Sequence, residues 1–277
     1  WSAGSMGEST QPGGTTIVDS AATLTLPGGG YTYLEQRTLT NNGTIIYTTP
    51  SQYLTIQAVS TVNKAGTFDI QSDQLIYIGG AGPNVFSNTG TLQKSLGAGT
   101  AAVHARLDNS GTVASTSGTL SLVGGGSSTA AFSAGAGSAI EFASNYTIGA
   151  GSTFTGAGGF QVSFGNLVVP AAAAVTIPNF SILNGSSYLS GAGTVTLTGA
   201  ATWAGGYMGH PSSPGGTTIV DAAGTLTISG SGGYATLDQN RTLTNNGTID
   251  YTAPSLYLSI YNGSTLNNAG TFNIATD

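Results

Sequence analysis

The sequence predicts an all-β protein, a right-handed parallel β-solenoid with turns of about 21–24 residues inside a longer module of about 204 residues. Three observations support this prediction. Short apolar runs alternate with polar residues, without helical periodicity. A glycine turn followed by a strand recurs at nearly constant spacing, and a long passage near the start of the chain recurs near its end. Units of this size bury an apolar face only by stacking on copies of themselves.

The composition limits the possible partners. Charged residues make up 6% of the 277 residues, with five Lys and Arg against eleven Asp and Glu, and the net charge is −6. Without a basic stripe the chain has little with which to neutralise phosphates, so we expect no nucleic-acid partner. No apolar stretch is long enough to span a membrane as a helix. The absence of cysteine excludes disulfides and thiolate chemistry.

The turn motif places an Asn two residues before a Gly, and a strand follows. The Asn residues of the motif are Asn41, Asn88, Asn109, Asn245 and Asn268, and the Gly residues are Gly43, Gly66, Gly90, Gly111, Gly247 and Gly270. The first four glycines are 23, 24 and 21 residues apart, and the last two are 23 apart, which is the expected length of one turn. We expect left-handed turn conformations at these positions. We also expect the Asn side chains to stack in a column, because stacked amides satisfy one another.

The residue two positions after each turn Gly is apolar, which assigns it to the core. These residues are Ile45, Phe68, Leu92, Val113, Ile249 and Phe272. Because strand side chains alternate between faces, the next residue, such as Asp69, is expected to point outward. Lys94 and Ser115 occupy the second inward position of their strands, so we expect those strands to be shorter or less regular. An antiparallel sandwich also has short strands and Gly-rich turns, but it gives no reason for turns at constant spacing.

Residues 124–200 are poorer in large side chains, and the turn motif fades there. A flexible linker would share this composition, but a linker has no reason to alternate apolar residues, as Ile140 and Phe142 do. We expect this part of the chain to form narrower turns filled by Ala and Gly.

The long-range repeat divides the chain into a first module, residues 1–202, and the start of a second, residues 203–277. The segment PGGTTIVD at 12–19 recurs at 214–221, and 24 residues of 38–73 are identical to their counterparts in 242–277. Two single-residue insertions raise the offset from 202 to 204 from Arg37 onward. We therefore expect the chain to sample an array of modules joined end to end, with the pattern continuing before Trp1 and after Asp277.

No residue pattern indicates catalysis or a cofactor. The carboxylates are scattered, and stacking is expected to bring Asp69 beside Ile46 and Gln93, which do no acid–base chemistry. His104 and His210 lack metal-ligand spacing and are expected in exposed loops. We expect no enzyme activity, no cofactor and no metal site.

Pairs of the form Thr-x-Thr raise a different alternative. They occur at Thr23 and Thr25, Thr38 and Thr40, Thr194 and Thr196, and Thr225 and Thr227. Stacked threonines on a flat face are the arrangement of ice-binding solenoids, although Thr is also a common strand residue. The pairs do not recur at every turn.

The Asn-x-Gly-Thr turns, TLTL-type strands and long near-identical modules of this cysteine-free chain resemble a known class of proteins. They are similar to the β-solenoid repeat regions of very large secreted bacterial surface proteins, the filamentous-haemagglutinin-like adhesins and autotransporter passengers. The resemblance covers essentially the whole chain. It implies an extracellular, cell-surface location and a role as a stalk, adhesin or fibre. Its implied partners are neighbouring modules or copies of the same chain end to end, with surface glycans or other cells as further candidates. A carbohydrate-binding or carbohydrate-active β-helix and an ice-binding solenoid stay open as alternatives.

Overall fold

The structure, a computed structural model, describes residues 1–8, 10–11, 13–80, 82–253 and 257–275, so Asp277 lies outside the described residues. The described residues form strands and turns and contain no helix, and therefore none that could cross a membrane. The sheets are all parallel and stack as a β-solenoid of about 12 turns, which confirms the predicted fold class.

The chain divides into two compact units, residues 1–140 and 141–277, and this boundary lies inside the predicted first module. The strands of the first unit are β1 (Gly4–Met6), β2 (Thr15–Val18), β3 (Thr23–Leu26), β4 (Thr32–Glu35), β5 (Thr38–Asn41), β6 (Thr44–Tyr47), β7 (Leu54–Gln57), β8 (Thr61–Lys64), β9 (Thr67–Ile70), β10 (Ile76–Gly79), β11 (Val85–Asn88), β12 (Thr91–Lys94), β13 (Thr100–Val103), β14 (Arg106–Asn109), β15 (Thr112–Ser115), β16 (Thr119–Leu122), β17 (Gly126–Ser128) and β18 (Ala131–Ala134). Strand β19 (Ala139–Phe142) contains the boundary.

The second unit has the same kind of strands. They are β20 (Tyr146–Ile148), β21 (Thr153–Thr155), β22 (Gly159–Val162), β23 (Gly165–Val168), β24 (Ala174–Ile177), β25 (Phe180–Ile182), β26 (Ser187–Ser190), β27 (Thr194–Leu197), β28 (Ala200–Trp203), β29 (Gly206–Met208), β30 (Thr217–Val220), β31 (Thr225–Ile228), β32 (Ala235–Leu237), β33 (Thr242–Asn245), β34 (Thr248–Tyr251), β35 (Leu258–Ile260), β36 (Thr265–Asn268) and β37 (Thr271–Ile274).

Each turn of the solenoid contains three strands, because within each unit a strand pairs with the strand three positions later. In the first unit, β2, β5, β8, β11, β14 and β17 form one such sheet; in the second, β22, β25, β28, β31, β34 and β37 form another. The strand that corresponds to β1 in the second module is β29, which comes 28 strands later. At three strands per turn, a module therefore contains nine and one third turns.

The inward positions form ladders of apolar side chains. Ile45, Phe68, Leu92 and Val113 lie in register on β6, β9, β12 and β15, and all four are fully buried. In the second unit, Ile249 is fully buried and pairs with Phe272, which is half-buried. The ring centroid of Phe68 lies 5.3 Å from that of Phe86, an edge-to-face contact that links two sheets.

The turn glycines have a different role from the expected one. Gly43, Gly66, Gly90, Gly111, Gly247 and Gly270 do not adopt positive φ, and neither do the Asn residues of the motif. Each glycine instead lies against the preceding turn: a Cβ atom at Gly66 would lie 2.0 Å from Gly43 O, and one at Gly111 would lie 2.2 Å from Gly90 O. The prediction of left-handed turns is therefore wrong here, and close stacking of the backbone explains the glycines.

Lys94 and Ser115 do not shorten their strands, so that prediction is wrong as well. Both strands have four residues and an intact register, and both side chains are fully buried. Lys94 Nζ donates to Asp73 Oδ1 (2.7 Å), Leu96 O (2.7 Å) and Gly97 O (2.9 Å). The second inward position lies at a corner, where the backbone bends and turns its carbonyl groups towards the side chain. A polar residue is satisfied there without loss of the strand.

Residues 124–200 continue the strand pattern. The turns are shorter here, since β22, β25 and β28 begin at residues 159, 180 and 200. Their core nevertheless contains large side chains, and the rings of Phe154 and Phe160 make an edge-to-face contact at 5.1 Å between centroids. These residues are therefore a structured part of the solenoid.

One corner of the first unit holds two residues in the left-handed region. Ala58 has φ 53° and Val59 has φ 65°, a conformation that a β-branched residue rarely adopts. In the second module, the same positions are occupied by Asn262 (φ 47°) and Gly263 (φ 75°), which adopt it at lower cost.

We expect Val59→Gly to raise the free energy of unfolding by about 1 kcal/mol, because it relieves this strain and Val59 is 61% exposed. Chemical denaturation followed by circular dichroism measures the change. The reciprocal substitution Gly263→Val serves as the control and is expected to destabilise the protein. A loss of stability in Val59→Gly would contradict the assignment of strain.

Candidate functional site

Among the described residues, no group of three or more acidic or histidine side chains is arranged to hold a metal ion. The register places Asp69 between Ile46 and Gln93, as expected from stacking. Asp69 is buried, although an exposed position was expected, and it accepts a hydrogen bond from Gln71 Nε2 (2.7 Å). Its neighbours offer no partner for acid–base chemistry.

The two histidines each contact a tyrosine and are half-buried. His104 lies 5.6 Å from Tyr77 between ring centroids, and burial lowers its pKa below the ordinary value. His210 contacts Tyr188 edge to face at 4.7 Å, and its Nδ1 lies 2.7 Å from Ser212 Oγ. These contacts give each ring a structural role.

The Thr-x-Thr pairs do not form a continuous double column. The first Thr of a pair stacks well: Thr23 pairs with Thr44, and Thr44 pairs with Thr67. The second Thr does not, because Thr25 pairs with Ile46, which pairs with Asp69. The flat two-column array that characterises an ice-binding face is therefore not assembled at this position.

A column of polar side chains runs along the inside of the first unit. Asn41, Lys64, Asn88, Asn109 and Ser128 lie in register at the ends of five successive strands, and all are buried. Asn88 Nδ2 donates to Asn109 Oδ1 (2.6 Å), and Asn109 Nδ2 donates to Ser128 Oγ (2.9 Å). The spacing of one turn lets the side chains from Lys64 to Ser128 reach one another, which makes this part of the column a hydrogen-bonded ladder. Asn41 Nδ2 donates instead to Thr67 O (2.8 Å).

The turn asparagines of the second module are arranged in the same way. Asn245 pairs with Asn268, and Asn245 Nδ2 donates to Asn268 Oδ1 (2.6 Å) and to Thr271 O (2.8 Å). The structure therefore places the turn asparagines of each module in one stacked column, and the bond to Thr271 O connects that column to the next strand.

Lys64 is the cation inside this column. Its Nζ donates to Asn88 Oδ1 (2.5 Å) and Gly66 O (3.0 Å), and it forms no ion pair with a described residue. Burial lowers the pKa of Lys64 to about 7. The matching residue in the second module is Asn268, so this position of the column is occupied by lysine in one module and by asparagine in the other.

Buried cations are a general feature of this charge-poor chain. Of its five Lys and Arg residues, Lys64, Lys94 and Arg241 are buried. Arg106 is the exposed member, with its Nε 3.0 Å from Asp108 Oδ1. Most of the positive charge therefore acts inside the solenoid, where backbone carbonyls solvate it.

A row of exposed and half-buried aromatic side chains crosses four successive turns of the first unit. This tyrosine row consists of Tyr31, Tyr53, Tyr77 and His104, with successive ring centroids 5.4, 5.8 and 5.6 Å apart. Tyr31 is 46% exposed. The nearby Tyr31 raises the pKa of Tyr53, because two neighbouring phenolates would repel each other.

Part of the tyrosine row recurs in the second module. Tyr234 and Tyr257 correspond to Tyr31 and Tyr53, their centroids lie 5.3 Å apart, and they are 52% and 64% exposed. Tyr234 raises the pKa of Tyr257 for the same reason. The tyrosine pair therefore occurs in both modules, with both rings exposed in the second and with Tyr53 half-buried in the first.

Such a pair can bind a ligand that is partly apolar and partly polar. A tyrosine ring offers an apolar face, and its hydroxyl donates and accepts hydrogen bonds. Contiguous exposed apolar surface can mark an interaction site. A neutral sugar has matching chemistry, since its ring carries a C–H face and several hydroxyls.

Sequence reasoning missed both the tyrosines and the buried cations. The repeat itself contained the signal for the tyrosines, because Tyr31 and Tyr53 are retained as Tyr234 and Tyr257. No comparable signal existed for the cations, since their burial depends on carbonyl groups that the fold brings to the corners.

No protein-family model matches the chain, and neither a curated protein nor a solved structure matches it.

We expect Lys64→Asn to stabilise the protein by about 1–3 kcal/mol near pH 6.5, because it removes a buried charge. The pKa of Lys64 is lower in the folded protein than in the unfolded chain, so the folded state binds fewer protons between about pH 7 and 10.5. Stability of the unmodified protein therefore rises across this range. The advantage of Lys64→Asn should shrink as pH increases, as measured by denaturation at pH 6.5, 8 and 10.

Arg106→Asn is the matched control, since it removes an exposed positive charge. Its effect should stay within about 0.5 kcal/mol and should not follow the same pH course. An advantage of Lys64→Asn that is equal at all three pH values would contradict the buried, titrating amine.

Proposed function

We propose that the chain is a structural and adhesive segment of a long extracellular repeat protein that forms a rod or fibre at the cell surface. The observation that supports this proposal is the junction between the two modules, which lies inside the second unit. Strand pairing continues there without interruption, so that one module serves as the base on which the next is stacked.

The junction joins the modules through three sheets. β26 of the first module pairs with β29 of the second, with Leu189 opposite Met208. β27 pairs with β30, and Thr194 lies opposite Thr217. β28 pairs with β31, and Trp203, the first residue of the second module, is fully buried. A tandem repeat that continues both its backbone ladder and its core has no flexible linker at the join.

The repeat length sets how such an array would grow. Nine and one third turns per module, at about 4.8 Å per turn, add about 45 Å for every module. Because 28 strands are not a multiple of three, matching strands of successive modules in an unbroken array belong to different sheets. A surface feature of the module, such as the tyrosine pair, would then be presented in three directions.

The composition supports an exposed, exported rod. A surface of hydroxyl and amide groups with few charges suits repeated self-stacking, because like charges in register would repel one another. The resemblance to secreted bacterial surface proteins supports the extracellular location that we propose.

We expect chains with two, three and four copies of residues 1–202 ahead of residues 203–277 to lengthen by about 45 Å per added copy. Negative-stain electron microscopy and small-angle X-ray scattering measure the particle length. A particle whose radius grows only as the cube root of its mass would exclude the rod.

A second candidate function is glycan binding, which the exposed tyrosine pair favours. Two rings in adjacent turns, about one sugar residue apart, provide a surface on which a linear neutral polysaccharide can pack. This candidate is compatible with an adhesive rod, since binding would occur once per module.

A variant with four substitutions, Tyr31→Ala, Tyr53→Ala, Tyr234→Ala and Tyr257→Ala, removes both tyrosine pairs. We expect it to lower retention on insoluble cellulose, xylan or β-1,3-glucan at least about tenfold, because ring packing is lost. Co-sedimentation measures the bound fraction. Phenylalanine at the same four positions is the control and should keep most of the binding. Glycan binding is excluded if the unmodified protein is retained by none of the three polysaccharides.

A further inference from the structure

Arg241 connects the two modules through a buried guanidinium group. Its Nη1 donates to Gly191 O (3.0 Å), which belongs to the last full turn of the first module. The same guanidinium donates within the second module, from Nε to Thr218 Oγ1 (3.0 Å) and from Nη2 to Thr217 O (3.4 Å). All of these residues lie in the second unit. One side chain thus bonds both modules.

The charge of Arg241 is held by neutral groups alone. Its side chain is fully buried, and neither of the ion pairs formed by the described residues involves it. Burial lowers its pKa to about 10, so the group stays charged at neutral pH. A buried cation of this kind requires several well-directed carbonyl acceptors, and removal of one leaves an uncompensated charge.

The backbone around Arg241 is shaped for this contact. Gly191, Gly215 and Gly216 have φ of 91°, 82° and 83°, in the left-handed region that glycine adopts without steric cost. A Cβ atom at Gly216 would lie 2.1 Å from Gly191 O and 3.0 Å from Arg241 Nη1. Because Gly216 has no Cβ atom, Arg241 Nη1 can approach and bond to Gly191 O of the preceding module.

The first module repeats this arrangement except for the two bonds of Nη1, which in Arg241 run to Gly191 O and to Gly215 O (3.3 Å). Arg37 Nε donates to Thr16 Oγ1 (2.7 Å), and Nη2 donates to Thr15 O (3.1 Å), as in the second module. A Cβ atom at Gly14 would lie 2.8 Å from Arg37 Nη1. No described residue accepts a hydrogen bond from that Nη1. Arg37 is half-buried and lines an open cavity of about 500 Å³.

We propose that this arginine is a clasp between successive modules, whose Nη1 binds the carbonyl oxygen of the Gly191 turn of the module before it. The proposal rests on the proposed tandem array and names the contact that secures each join. The partner is specific: the SGAG turn, residues 190–193, of another copy of the module. Two backbone bonds reinforce the join, from Gly191 N to Ser213 O (2.9 Å) and from Thr217 N to Gly193 O (3.1 Å).

The first test compares the two arginines in the 277-residue chain. Arg241→Ala should raise amide hydrogen exchange at Gly191 and Thr217 at least about tenfold, whereas Arg37→Ala should leave exchange at the junction unchanged. Arg241→Lys, which keeps the charge but loses the forked donors, should give an intermediate increase. Unchanged exchange in Arg241→Ala would overturn the clasp.

The second test supplies Arg37 with its partner. Residues 141–202 are copied ahead of Trp1, and the melting temperature is measured with and without Arg37→Ala. We expect a decrease of about 5 °C or more in the extended chain, similar to that of Arg241→Ala, and less than half that decrease in the 277-residue chain. Equal decreases from Arg37→Ala in both chains would overturn the proposal.

The second test also separates the clasp from the rod. If the extension lengthens the particle but Arg37→Ala has the same effect as before, the clasp is wrong and the rod stands. If the extension neither lengthens the particle nor changes the effect of Arg37→Ala, both proposals fail. Because this arm uses Arg37, it remains informative even if Arg241→Ala does not fold.

Discussion

Parallel stacking of one turn directly on the next is the constraint on which the rest of the structure depends. Each residue lies about 4.8 Å from its counterpart in the neighbouring turn, so the inward face of a strand is a ladder of equivalent positions. Ile45, Phe68, Leu92 and Val113 fill one ladder with apolar side chains. The same spacing leaves no room for a Cβ atom where Gly66 meets Gly43 O.

Stacking also explains why a chain with so few charges buries most of its cations. A polar residue at an inward corner faces backbone carbonyls of its own turn and of the adjacent one. Lys94 meets three of these acceptors and Asp73, Lys64 joins the asparagine column, and Arg241 meets carbonyls from two modules. In each case the regular backbone replaces the water that the charge has lost.

Some features of the surface recur in each module and others do not. The tyrosine pair Tyr31 and Tyr53 is kept as Tyr234 and Tyr257. The stacked pair Tyr188 and Tyr207 has no such copy, because the residue of the first module that corresponds to Tyr207 is Ser5. The first pair is therefore a repeated surface of the module, whereas the contact between Tyr188 and Tyr207 is local to one place in the chain.

The sequence by itself determined the solenoid, the length of its turns, its core ladder and the 204-residue module, because each of these depends on the spacing of residues along the chain. Spacing does not reveal what lies across a turn. Only the tertiary structure decided that the turn glycines allow close stacking, that Lys94 and Asp69 are buried, and that Arg241 bonds to Gly191, fifty residues away. These outcomes depend on carbonyl groups and neighbouring side chains that come together only when one turn lies on another.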